Sequence, residues 1–220
     1  MTLELFLFPP SPRAFKVIAV AHHLGLSYET RIVQLFKGEQ NHPDYVALNP
    51  NKRMPVLKED DFVLWESNAI TQYLASKNPA AGLLPDNARQ SAHVNQWQCW
   101  ELAHWLPAIT VLIEENVKKP RRGERPNLEE LHKGERLFHS CAELLEKHLK
   151  GQNFVACGRL TVADFSVGSW LEAAERAKYP LEPYPEIKRW HQSLGALPSW
   201  QYARAQSETF LQAMEARRGQ

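Results

Sequence analysis

Three short stretches carry residues placed for chemistry. Leu48-Asn49-Pro50-Asn51-Lys52-Arg53-Met54-Pro55-Val56-Leu57 leads a Met-Pro bond directly into an apolar run. That pattern puts a proline at the mouth of a strand, where a cis bond is one option and the backbone of the preceding residue faces a ligand. Glu66-Ser67 then opens a helical pattern, so a carboxylate and a helix-start amide lie close together, one suited to an ammonium and the other to an anion. Near the N-terminus, Ser11-Pro12 follows an apolar run. A Ser before a Pro is an ordinary helix cap, but the same geometry aims a hydroxyl at the end of a helix where negative charge is stabilised. The Met54-Pro55 and Glu66-Ser67 stretches together read as a peptide-clamping site.

The elements that must position these residues follow from periodicity. Leu3 to Phe8 reads as a buried strand ended by Pro9-Pro10, Arg13 to Leu24 as a helix closed by Gly25, and Tyr28 to Leu35 as a second strand. The strands of such a unit run parallel with a right-handed crossover. Val56-Leu57-Lys58 and Phe62-Val63-Leu64-Trp65 flank Glu59-Asp60-Asp61 as a hairpin, and Ser67 to Ala75 supplies a closing helix. The order βαβ then ββα is that of the thioredoxin-like fold. Asn78 to Pro85 is rich in helix breakers, and everything beyond about residue 86 reads helical. The expected organisation is therefore an N-terminal thioredoxin-like domain over 1–78, a linker over 79–87 and an all-helical domain over 88–220. Pro107 should kink the first long helix of that domain. Asn127 with Glu130, and Thr161 with Asp164, have capping-box spacing.

Composition excludes several classes. With 26 basic and 25 acidic residues the chain of 220 has a formal charge of +1, which provides no field for nucleic acid or an anionic membrane. No window has the apolar length of a transmembrane helix, and Leu3 to Phe8 is too short and lacks the basic lead of a signal peptide, so a cytoplasmic protein is expected. Cys99, Cys141 and Cys157 are odd in number and widely spaced, reading as buried small hydrophobes without a disulfide framework. The nine histidines contain no His-x-x-x-His spacing, and no metal site is expected.

From Leu3 to about Trp200 the chain resembles the cytosolic glutathione transferases, most closely the theta-like and phi-like serine classes. The resemblance implies glutathione as co-substrate, no metal, and a small electrophilic second substrate. It implies that Ser11 hydrogen-bonds the glutathione thiolate, that Met54 before Pro55 pairs with the cysteinyl unit, that Glu66 takes the γ-glutamyl ammonium and Ser67 its carboxylate, and that Arg53 reaches the glycyl end. Where relatives carry a basic residue for the glycyl carboxylate, this chain has Gln40 and Asn41, with Lys37, His42 and Arg53 as alternative cations. The electrophile pocket is expected between the domains, bordered by Pro10, Phe36, Trp105 and Ile109. The resemblance further implies a homodimer. Dehalogenase, isomerase or peroxidase chemistry uses the same thiolate, and a non-catalytic carrier or interaction module is the reading outside enzymes.

Overall fold

The structure is a computed structural model and describes residues 2–218. The chain divides into two compact units, residues 1–84 with 196–220, and residues 85–195.

In the first unit, β1 (Leu3–Leu7), α1 (Pro12–His23), β2 (Glu29–Ile32), α2 (Pro43–Leu48), β3 (Val56–Glu59), β4 (Phe62–Trp65) and α3 (Ser67–Ser76) follow in order. The sheet order is β2-β1-β3-β4, with β1 and β2 parallel and the other pairs antiparallel. This is the βαβ-ββα arrangement that the periodicity predicts. Alternation along β1 explains the layering: Leu3, Leu5 and Leu7 are buried on one face. Phe6 on the other joins Val33, Tyr45 and Val56, so α2 covers that side. Two 3₁₀ turns, Leu35–Lys37 and Glu39–Asn41, connect β2 to α2, and Gly38 between them has φ +73°, a conformation glycine adopts without steric cost.

Helicity in the last 25 residues says nothing about where they pack. The final helix α11 (Pro198–Arg218) belongs to the first unit and lies along α1. Phe15 and Trp200 meet edge to face at 5.0 Å between centroids, and His22 stacks on Tyr202 at 4.1 Å. The expected domain 88–220 assigned this helix by element type, whereas aromatic packing assigns it to the sheet-bearing unit.

The second unit holds α4 (Ala88–Trp100), α5 (Leu106–Ile113), α6 (Lys119–Arg121), α7 (Leu128–Leu149), α8 (Val162–Gly168), α9 (Ala174–Ala177) and α10 (Pro185–Gly195). Pro107 and Pro120 are each preceded by a five-residue π turn, Glu101–Trp105 and Glu114–Lys118. A wider turn accommodates the ring and the missing N–H without ending the helix, which is the local distortion expected at Pro107. Asn127 caps α7 by accepting from the Glu129 and Glu130 amides. The reciprocal bond of a capping box comes from Glu115, which accepts from the Asn127 amide at 2.6 Å, because Glu130 turns outward to Lys133. At α8 the Thr161–Asp164 capping box is complete. The Asp164 carboxylate accepts from the Thr161 amide and hydroxyl, the Val155 amide and the Trp190 indole, tying a loop and α10 to the start of α8.

Candidate functional site

Ser11 is the N-cap of α1, with φ −78° and ψ 130°, and Pro12 begins the helix. Its amide donates to the Phe8 carbonyl and its carbonyl accepts from the Phe15 amide, so backbone bonds fix the turn. The hydroxyl makes no capping bond. The capping role that Ser-Pro suggests on its own is therefore not the one its hydroxyl plays, and the group remains available at a helix start.

The Met54-Pro55 bond is cis. The loop before it is clamped by contacts that sequence reasoning missed. Tyr45 Oη and Asn49 Nδ2 both donate to the Arg53 carbonyl at 2.7 Å, and Asn49 Oδ1 accepts from the Asn51 amide at 3.0 Å. Asn49 is 2% exposed. With the Arg53 carbonyl doubly held, the peptide unit that Arg53 shares with Met54 has one orientation, and the Met54 backbone is presented in a defined way. An Asn before Pro signalled a turn, but its partners four residues away became visible only in three dimensions.

Glu66 has φ +73° and ψ 113°, a strained conformation for a residue with a Cβ, and forms the corner between β4 and α3. Such outliers cost roughly 1–3 kcal/mol and gather at ligand clamps. Its carboxylate lies 3.9 Å from the Arg13 guanidinium, both groups being partly exposed. Arg13, two residues after Ser11, was not among the sequence candidates, and its guanidinium lies beside the Glu66 carboxylate at this corner. Ser67 follows at 2% exposed as the first residue of α3.

On the other flank, Gln40 sits in the second 3₁₀ turn, and its buried Oε1 has no hydrogen-bond partner. A buried amide oxygen left unpaired costs about 1–3 kcal/mol unless a ligand or water satisfies it. Asn41, Lys37, His42 and Arg53 are exposed.

Phe36 is 59% exposed and meets Phe8 edge to face at 5.5 Å, while Phe210 of α11 meets Phe8 at 5.2 Å. Pro10 is half-buried in the turn between them and Ser11. Trp105 and Ile109 do not line a pocket. Both are fully buried; Trp105 stacks against Trp100 and Phe138 and donates its indole N–H to the Val167 carbonyl at 3.2 Å. A stripe at helical spacing marks core unless something opens it, and here it is core. The cysteines also differ from expectation: Cys99 is exposed and Cys141 and Cys157 are half-buried, all three as free thiols. Burial pushes the Cys141 and Cys157 thiols up, which makes them poor nucleophiles. Among the described residues no group of three or more acids, histidines or cysteines is arranged to hold a metal.

The comparisons with known proteins agree with this geometry. Residues 1–76 match the family description "Glutathione S-transferase, N-terminal domain" and residues 113–193 match "Glutathione S-transferase, C-terminal domain". The chain belongs to the glutathione S-transferase family. Glutathione S-transferase 3 of Zea mays is 31% identical over 90% of this chain and 91% of its own length, and glutathione S-transferase D7 of Drosophila melanogaster is 29% identical over 97% and 95%. Among solved structures, glutathione transferase F7 of Populus trichocarpa superposes with a TM-score of 0.86 at 26% identity, covering 94% of this chain and 99% of that one. A Phanerochaete chrysosporium glutathione transferase, solved with oxidized glutathione, gives 0.86 at 27% identity, covering 96% and 97%. The thioredoxin-like plus helical architecture and the use of glutathione as co-substrate thus belong to this glutathione transferase. Among the described residues no helix is long and apolar enough to cross a membrane.

Proposed function

We propose that this glutathione transferase is a serine-type enzyme in which Ser11 activates the co-substrate. The observation that carries the reading is the Ser11 hydroxyl, at the start of α1 and not spent on capping it. When bound, glutathione supplies the nucleophilic sulfur. Ser11 donates a hydrogen bond to that sulfur in its ionised form, and the α1 terminus adds a favourable potential. No general base is required, because the proton leaves to solvent when the thiol ionises. Ser11 holds the sulfur charged while it attacks an electrophilic carbon of a small apolar substrate, with Phe36 and Pro10 on the electrophile side. The attack either displaces a leaving group, which departs with its bonding pair, or opens an activated double bond whose carbanion takes a proton from solvent. Met54 pairs its backbone with the cysteinyl unit in the manner of an added strand. Glu66 takes the γ-glutamyl ammonium and Ser67, through its amide and hydroxyl, the adjacent carboxylate. Gln40 offers a neutral amide and Arg53 a cation to the glycyl end. An ultraviolet difference titration following thiolate absorbance against pH tests this reading: a bound thiol ionising well below its free value of ~8.5 supports it, and an unshifted pKa removes it.

Glu66→Ala is expected to weaken glutathione binding about ten-fold or more, since one charge-assisted bond contributes roughly 1.5–3 kcal/mol, with turnover at saturating glutathione little changed. Calorimetric titration beside steady-state kinetics checks this. A pure turnover effect would contradict the role given to Glu66.

The protein is further proposed to act as a homodimer in a reducing, cytoplasmic setting, where its three free thiols are stable. Strand β4 is the sheet edge beside β3, and its Phe62 and Trp65 are 42% and 40% exposed, an apolar edge that self-association would cover. Sedimentation equilibrium is expected to return twice the chain mass of 25.3 kDa. A single-chain mass at micromolar concentration would end the proposal.

A further inference from the structure

Lys16, in the second turn of α1, is completely buried. Its ammonium donates to Oδ1 of Asn68 at 2.8 Å, linking positions 52 apart in the chain. Asn68 is 8% exposed and is the second residue of α3, immediately after Ser67. The Thr71 hydroxyl, also fully buried, donates to the Asn68 carbonyl at 2.9 Å and secures the same turn. An ammonium has three donors and no acceptor, so the amide oxygen must face it and the contact has one geometry.

Stability alone does not account for this arrangement. Taking a lysine ammonium out of water costs several kcal/mol, and an apolar residue of similar volume is often as good or better for a core. What the bond does, among the contacts that pack α1 on α3, is tie the second turn of one helix by a directional link to the first turn of the other. Ser11 lies five residues before Lys16, about 7.5 Å along the α1 axis at 1.5 Å per residue. Glu66 and Ser67 directly precede Asn68. We infer that Lys16 is a positioning residue of the glutathione site, its bond to Asn68 setting the distance between the Ser11 end and the Glu66-Ser67 end. The inference rests on the assignment of those residues to glutathione. The tripeptide has its thiol and its γ-glutamyl end a fixed number of bonds apart, so a slip of α3 against α1 forfeits one contact whenever the other is made. Misplacement by 1 Å can cost as much as about a hundred-fold in rate.

The test uses Lys16→Met, which keeps side-chain length and removes charge and donors, with Asn68→Ala and the double variant. The expected result for Lys16→Met is a folded protein with a modestly lower thermal midpoint, because the Asn68 amide oxygen loses its donor, and a glutathione dissociation constant, measured by calorimetry, raised about ten-fold. The KM for glutathione should rise in step while the KM for the electrophile stays constant. The losses in the double variant should be less than multiplicative, because both substitutions remove the Lys16–Asn68 link. A folded Lys16→Met protein that binds glutathione normally overturns the inference, as does a double variant in which the two losses multiply. If Lys16→Met does not fold, Asn68→Ala decides by the same readout. Glu66→Ala in the same series separates the two levels. If it weakens binding and Lys16→Met does not, the brace alone is wrong; if neither does, the assignment of the site is wrong.

Discussion

Ser11→Ala is expected to raise the pKa of the bound glutathione thiol by roughly one to two units and to lower turnover at neutral pH by about ten-fold or more, leaving the fold and most of the glutathione affinity intact. Moving a thiol from ~8.5 to about 6.5 takes roughly 2.7 kcal/mol of preferential thiolate stabilisation. A charge-assisted hydrogen bond supplies roughly 1.5–3 kcal/mol and a helix terminus roughly 0.3–1, so the hydroxyl carries most of the shift and the terminus cannot replace it. The fold should tolerate the change because the turn is held by the Ser11 amide and carbonyl, both of which alanine retains. The sign follows from the same argument: the fold deficit is full below about pH 6.5, shrinks as pH rises through the interval between the two thiol pKa values, and closes past ~8.5. Thiolate absorbance titrations paired with pH–rate profiles check it. A constant deficit at every pH would mean that Ser11 acts on something other than ionisation.

Asp164→Ala is expected to destabilise the second unit by about 3–5 kcal/mol, lowering the thermal midpoint by roughly 10 °C, with no effect on the thiol pKa in protein that remains folded. Asp164 is fully buried and accepts from the Val155 and Thr161 amides at 2.9 Å, the Trp190 indole at 3.2 Å and the Thr161 hydroxyl at 3.1 Å. Alanine leaves those donors without acceptors in a dry interior, where each costs about 1–3 kcal/mol. Asp164→Asn does not rescue it, since one of the two oxygens becomes a donor facing donors.

Burial pushes the Asp164 carboxyl up to about 6, and the four donors, pulling the other way, do not cancel it. Because the folded-state pKa lies above the unfolded value, the folded protein binds the extra proton between about pH 4 and 6. Stability from this group therefore falls as pH rises through that window, by roughly 3 kcal/mol. The gap between wild type and Asp164→Ala should accordingly narrow from pH 4 to pH 7, as calorimetric unfolding at both pH values would show. A gap that widens would mean the donors outweigh burial.

Much of this protein follows from local rules acting on neighbouring residues. Alternation in Leu3 to Leu7, the helical spacing of Arg13 to Leu24, the hairpin around Asp60 and the class change after residue 86 state the order of elements, because periodicity reports which face of each element is apolar. Ser11-Pro12, Met54-Pro55 and Glu66-Ser67 name the candidate site for a similar reason: each pair sits at an element boundary whose backbone is specified within two or three residues. Tertiary structure decided what depends on residues far apart. Trp105 and Ile109 have the spacing of a stripe, which core and pocket share, and only their complete burial, with Trp105 against Phe138, separates the two. The last helix is helical in either unit, and the Phe15–Trp200 contact places it beside α1. The Ser11 hydroxyl makes no capping bond while backbone bonds hold its turn, the Arg53 carbonyl is clamped by Tyr45 and Asn49, and the buried Lys16 ammonium donates to the Asn68 amide oxygen. No window of sequence contains both partners of that last bond, so its existence is a property of the folded chain alone.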